Sequence, residues 1–275
     1  MRTANEALEM RVRATLPRLA AAALLAACAL AAAGCTTSPL GRRQLHLMSG
    51  EQVSTMGVSA FQEIKKETPQ SQDASQTRYV RCVAAAITGQ VKSAGAPRQW
   101  EVVVFQTDEP NAFALPGGKI GVNTGILKVA KNQDQLATVL GHEVAHVLAE
   151  HANERVSQQL VAGTLMQAAG QVMDPSLVAA LGMGAQIGVL LPFSRTQESE
   201  ADLLGLDLMA GAGFDPREST RFWQNMEKAG GGKAPEYLST HPSDQTRSNA
   251  LQNRIPQEMP LYDAAVAAGH RPKCS

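Results

Sequence analysis

Residues 142–146 read His-Glu-Val-Ala-His, inside a segment (133–158) whose apolar residues Leu136, Leu140, Val144, Val147 and Leu148 recur at helical spacing. No other feature restricts the fold as much, because the two histidines can act together only if the segment is helical. On an α-helix, residues four apart lie one above the other. His142 and His146 can then reach one metal ion, and Glu143 projects from a neighbouring angle, where a carboxylate can take a proton from metal-bound water. A chance match to this pattern is expected in roughly one chain in a hundred of this size. The apolar stripe lies mostly on the other side, so the histidines are expected to face a cleft while the helix back packs inward. Gly141, in mid-helix, costs about 1 kcal/mol relative to alanine, which points to close approach of another backbone.

A catalytic zinc ion takes a third protein ligand and keeps an open position for water. Downstream, Glu198 and Asp202 are four apart and share a helix face, whereas Glu200 points about 200° away from Glu198. Glu198 is therefore the expected third ligand. Asp202, one turn along, is suited to accept the free ring N–H of a ligating histidine. Glu200 as ligand is the rival assignment. Of the other histidines, His151 lies about 180° around the helix from His142 and makes a poor third ligand. His46 and His270 sit near the ends of the chain without a metal-like partner.

The remaining chain reads as helices, a small sheet, then helices. Ser49 and Gln52 form a capping box opening a helix to about Lys66. A second helix is expected over 76–93, strands over 100–105, 111–115 and 119–123, a turn at Pro116-Gly117-Gly118 and a short helix over 125–131. Further helices span 196–209, Pro216 to Lys228, and Pro242 to Arg254, with Gly230-Gly231-Gly232 as a joint and a tail over 261–275. The order gives an α+β fold, mostly helical, as one domain over 46–260 with the sheet packed on the His-Glu-Val-Ala-His helix. The strand Asn111–Leu115 is the expected sheet edge. Extended substrates commonly bind by adding a strand to such an edge, which makes Asn111, Ala112 and Phe113 candidates for backbone contacts.

The first 34 residues are set apart by composition. Arg11, Arg13 and Arg18 precede an uncharged, alanine-rich run that ends in Ala-Ala-Gly-Cys35, the pattern of an export signal with a lipoprotein-type cleavage site. Sixteen apolar residues fall short of the roughly 20 that span a bilayer. Cys35 is the expected lipidated residue, with Cys28 as the rival, and residues 35–45 read as anchor and tether. Without residues 1–34 the chain carries 21 basic and 23 acidic groups, so no basic excess exists for holding nucleic acid. Cys82 and Cys274 remain, as either a disulfide or a buried thiol and a free tail cysteine.

HEVAH, then Glu198-Ser199-Glu200-Ala201-Asp202, then Ser239-Thr240-His241-Pro242, resembles the HtpX and CAAX-prenyl-protease family of zinc metallopeptidases (gluzincins), in its periplasmic lipoprotein branch. The resemblance implies a zincin-like fold with one zinc ion on His142, His146 and Glu198, Glu143 as general base, and Asp202 behind a ligand. It implies an endopeptidase acting in protein quality control on unfolded or misassembled envelope proteins, lipid-anchored, periplasm-facing and at the outer membrane. His241, in a motif resembling one of this branch, is expected to approach the metal or the developing oxyanion, and Arg247 to hydrogen-bond to the site. Integral members carry membrane spans between the two zinc helices. Here Gln167, Gln171, Asp174 and Pro175 interrupt residues 160–193, which read instead as a helical lid. The alternative function is a non-proteolytic assembly factor for outer-membrane proteins with a structural zinc site.

Overall fold

The computed structural model describes residues 35–93, 95–168, 193–229, 236–242 and 245–274. Residues 1–34, read as an export signal, and most of the 160–193 segment read as a lid lie outside the described residues. The chain divides into two units, residues 1–47 and 48–275. In the first, the stretch read as a tether is an antiparallel hairpin of β1 (Cys35–Thr37) and β2 (Arg43–Leu45), with Cys35 opposite Leu45. Gly41, at φ 85°, supplies the left-handed residue its turn needs.

The second unit opens with α1 (Gly50–Glu67). The Ser49 hydroxyl accepts from the Gln52 N–H, and the Gln52 side chain accepts from the Ser49 N–H. α2 (Ala74–Thr88) starts at Asp73, whose carboxylate accepts from the N–H groups of Ser75 and Gln76. It is shorter than the expected 76–93 helix, since its apolar pattern continues past the helix end into Val91 without helical backbone. β3 (Glu101–Phe105), β4 (Ala112–Leu115) and β5 (Lys119–Asn123) form a sheet in the order β3-β5-β4, parallel between β3 and β5 and antiparallel between β4 and β5. β4 is thus an edge. The turn joining β4 to β5 uses Gly117 and Gly118 at φ 83° and 73°.

α3 (Ile126–Val129) leads into α4 (Gln133–Leu148), which carries the metal motif. Every residue of α4 from Gln135 to His146 is buried: the apolar back packs inward as expected, and the histidine face, expected to line a cleft, is buried as well. Leu136, Val139 and Leu140 share one core cluster with Val104, Ile120 and Val122 of the sheet and Val80, Val83 and Ile87 of α2. Each such aliphatic side chain contributes roughly 1.5–3 kcal/mol on burial. A smaller cluster of Phe61, Phe105, Phe113 and Leu115 covers the other sheet face.

The expected single helix 133–158 is two. α4 ends at Leu148, Glu150 takes φ 52°, and α5 (His151–Ala168) starts in a new direction. α6 (Arg195–Gly211) crosses α4 at Gly141 and Gly205. A Cβ on Gly205 would stand 2.9 Å from the His142 nitrogen, and one on Gly141 2.9 Å from the Gly205 oxygen. α7 (Glu218–Ala229) and the short α8 (Glu236–Thr240) precede α9 (Gln245–Ala267). α9 runs through Pro256 and Pro260, past the Arg254 end expected for it. A proline inside a helix costs about 3 kcal/mol. Burial of Leu251, Glu258 and Ala265 along one α9 face opposes that loss. Beyond α9, Cys274 is disulfide-bonded to Cys82. Gln133 donates to the Pro272 carbonyl at 2.8 Å and accepts from the Cys274 N–H at 3.0 Å. No described helix is long and apolar enough to cross a membrane.

Candidate metal centre

α4 supplies His142, Glu143 and His146, α6 supplies Glu198, Glu200 and Asp202, and the residue after α8 is His241. All seven are buried. The α4–α6 glycine crossing is what lets the two acid- and histidine-bearing helices approach closely enough for these side chains to meet. His142, His146, Glu198 and His241 each offer one ligand atom, and the four atoms lie within 4.8 Å of one another. His142 Nε2 is 3.0 Å from His146 Nε2 and 3.3 Å from His241 Nδ1. Glu198 Oε1 lies 3.0 Å from His241 Nδ1 and 3.3 Å from His146 Nε2.

The partners of the outer ring nitrogens assign the tautomers. His142 Nδ1 faces Asp202 Oδ1 at 3.0 Å, and a carboxylate only accepts, so Nδ1 carries the proton and Nε2 is a bare lone pair in the neutral ring. His151 Nε2 faces Glu200 Oε2 at 3.2 Å, which protonates that nitrogen and leaves His151 Nδ1 as acceptor. His146 Nδ1, 2.9 Å away, then donates to it, and His146 Nε2 is also bare. His241 Nε2 sits 3.5 Å from Glu143 Oε1, which directs its Nδ1 lone pair inward. With neutral rings, three imidazole lone pairs and a carboxylate oxygen thus converge on one point. A cation at their centre satisfies all four, so the donor set fits a metal of the type that takes nitrogen and oxygen ligands.

Without a metal, the buried carboxylates draw a proton into the cluster. Burial pushes the His142 imidazole down, but the Glu198 and Asp202 charges outweigh it and raise the ring to about 9 in the metal-free chain. Burial holds His146 well below the usual histidine range. Burial opposes ionisation of Glu198 as well, yet the neighbouring His241 and His142 keep its carboxyl far below the usual carboxylate range. Arg247 does the same for Asp202 against the effect of burial. Its guanidinium forks onto Asp202 at 2.8 and 2.9 Å, reaches Glu198 Oε2 at 2.6 Å and donates to the Pro242 carbonyl at 2.7 Å. One arginine therefore ties α6 to the loop that carries His241.

Several contributors are not visible in the sequence pattern. His151 was set aside on helical geometry, but the break at Glu150 swings it behind His146. Glu200, the rival ligand, stands behind His151 instead of in the donor set. The Phe193 ring packs 3.8 Å from His146, with the Arg155 guanidinium 3.6 Å above it. The Phe193 N–H donates to the Thr240 carbonyl, next to His241. Tyr237 precedes His241 by four residues, a spacing that would have flagged it, and its hydroxyl donates to Glu143.

A cavity of about 540 Å³ opens beside His146, walled by Val53, Pro97, Val147, Leu148 and Phe193, with Ala114, Pro116 and Gly117 along the strand edge. Of the three strand residues expected to meet substrate, Ala112 and Phe113 are buried, and Asn111 lies outside the cavity lining. Asn111 accepts from the Asn123 N–H, so in the alternating antiparallel ladder Phe113 also pairs with β5. Ala114 is the β4 residue that reaches the cavity, and its N–H donates to Glu143 Oε2 at 3.3 Å.

Comparison with known proteins brings the same residues into a wider frame. Residues 74–255 match the family described as Peptidase family M48. A mitochondrial metalloendopeptidase OMA1 from Schizosaccharomyces pombe is 36% identical over 221 residues, covering 78% of this chain and 65% of that protein. Its counterpart from Arabidopsis thaliana is 41% identical over 171 residues, covering 62% of this chain and 35% of the other. A beta-barrel assembly-enhancing protease from Escherichia coli is 26% identical over 237 residues, covering 82% of this chain and 48% of that one. The chain thus spans between 35% and 65% of the length of these relatives.

Proposed function

The chain belongs to peptidase family M48, and on that premise we propose that it is a zinc metalloendopeptidase anchored by lipid at Cys35 in a bacterial envelope. The observation that carries the catalytic reading is the convergence of three imidazole lone pairs and a carboxylate beside Glu143. His142, His146 and Glu198 would hold the ion, with His241 as a fourth donor. Zinc bound there supplies charge that polarises the scissile carbonyl and acidifies water.

The protein's own residues do the rest. Glu143 takes a proton from the attacking water and returns it to the leaving amine nitrogen. Asp202 and the His151–Glu200 pair hold the two α4 imidazoles in the tautomer that turns a lone pair inward. The cavity at Ala114 receives an extended chain, and its apolar walls exclude water from the side chains next to the cut.

Relatives carry both mitochondrial and bacterial names. The basic, alanine-rich leader ending at Cys35 supports the bacterial envelope, periplasm-facing at the outer membrane. Unfolded or misassembled envelope proteins are the proposed substrates, supported by the assembly-linked name of the Escherichia coli relative. A Glu143→Gln variant tests the reading. It is expected to retain one zinc ion per chain and to lose casein hydrolysis by roughly 10²–10⁴-fold. Cleavage at the parent rate by a zinc-loaded Glu143→Gln protein would show that Glu143 is not the base. A parent that cleaves nothing would point to the assembly-factor alternative.

A further inference from the structure

Both oxygens of the Glu143 carboxylate are engaged, and unequally. Oε1 accepts the Tyr237 hydroxyl at 2.6 Å, while Oε2 accepts only the long 3.3 Å contact from the Ala114 N–H. Tyr237 is fully buried, and its ring is clamped between Trp223, 5.9 Å away, and His241, stacked at 4.3 Å and 18°. The phenol has no freedom to turn elsewhere.

We propose that the Tyr237 phenol is a positioning group for Glu143, holding Oε1 so that Oε2, on the cavity side, is the oxygen that receives and returns the proton. This rests on the protease reading above. A carboxylate oxygen that already accepts a short hydrogen bond is the less basic of the pair. The carboxylate would otherwise rotate about its terminal bond, where rotamers are broad. With Oε1 fixed, Oε2 stays beside Ala114, the strand residue that lines the cavity. When water attacks, its O–H bond breaks, the proton goes to Oε2, the oxygen bonds the scissile carbon, and the carbonyl π pair moves onto the carbonyl oxygen until the C–N bond breaks. When the C–N bond breaks, the proton passes from Oε2 to nitrogen. The Tyr237 O–H bond stays intact throughout. Tyr237 and His241 also lie one helical turn apart, joined by the His241 N–H to Tyr237 carbonyl bond, so α8 presents both groups to the site together.

The test is Tyr237→Phe in the full chain, which keeps the ring stack and removes one hydroxyl. The expected result is an unchanged zinc content, KM within about twofold of the parent and kcat lower by roughly tenfold or more. In a Glu143→Gln background, the same change is expected to alter the residual rate less than about twofold, since the base it positions is gone. A readout independent of turnover is the melting temperature of the chelated protein. Tyr237→Phe should lower it in the parent and leave it unchanged in Glu143→Leu.

Parental kcat in Tyr237→Phe, equal losses in both backgrounds, loss of zinc, or equal melting shifts in both backgrounds each overturn the assignment. A zinc-loaded parent without hydrolytic activity overturns the protease reading, and the assignment with it. An active parent with an indifferent variant overturns the assignment alone.

Discussion

His151 is nine residues from His142 and, on an unbroken helix, faces away from it. Yet its ring bridges His146 and Glu200, with both of its nitrogens used. Outer partners of this kind set ligand basicity and orientation, and losing one typically weakens metal binding 10–100-fold. His151→Ala should therefore raise the zinc dissociation constant by roughly 10–100-fold in competition with a chromogenic chelator. Unchanged affinity would mean that His146 needs no help to hold its tautomer. The contrast with His142, Glu143 and His146 is instructive. Their relation is local, fixed by helical geometry over five residues, and so is legible in the sequence. That of His151 depends on a left-handed residue at Glu150, where neither glycine nor proline announces a break. Tyr237 is similar, because its partner Glu143 is 94 residues away and only the tertiary fold pairs them.

The crossing of α4 and α6 sets how tightly the two ligand-bearing helices can approach. An ordinary mid-helix glycine to alanine change is stabilising by up to about 1 kcal/mol. At Gly205 the new Cβ would meet the His142 backbone nitrogen at 2.9 Å, so Gly205→Ala should instead destabilise by roughly 1–3 kcal/mol in urea unfolding. It should weaken metal binding as well, since the displaced backbone carries His142 of the candidate donor set. Increased stability would overturn the packing account. Gly141 signalled this crossing in the sequence, because a residue that is costly in a helix needs a reason to be there. The strands and the α1 cap were legible for the same local cause: β-branched runs and a capping box act over a few residues. The course of α9 was not. Prolines at 256 and 260 are local stop signals, outweighed by the buried row Leu251, Glu258 and Ala265. The all-round burial of α4 escaped as well, since Gln135, Thr138 and the ligands themselves read as polar.

At the scale of the molecule, the longest-range restraint among the described residues is the bond between Cys82 on α2 and Cys274, 192 residues apart. Such closures contribute about 2–4 kcal/mol by restricting the unfolded chain. Cys82→Ser should lower the melting temperature and remove the difference between oxidised and reduced samples. A melting temperature that does not respond to dithiothreitol would contradict this. The sequence offered the pairing as one of two options, and nothing short of the fold could choose between them.

The donor set gathers positions as far apart as His142 and His241, with Glu198 between. A chain still emerging from the ribosome or a translocation pore holds the full His-Glu-Val-Ala-His motif long before residue 241 arrives. Until then the motif has no complete cage around an ion and no Tyr237 beside its base. Assembly of the full donor set is thereby postponed until the C-terminal helices are in place.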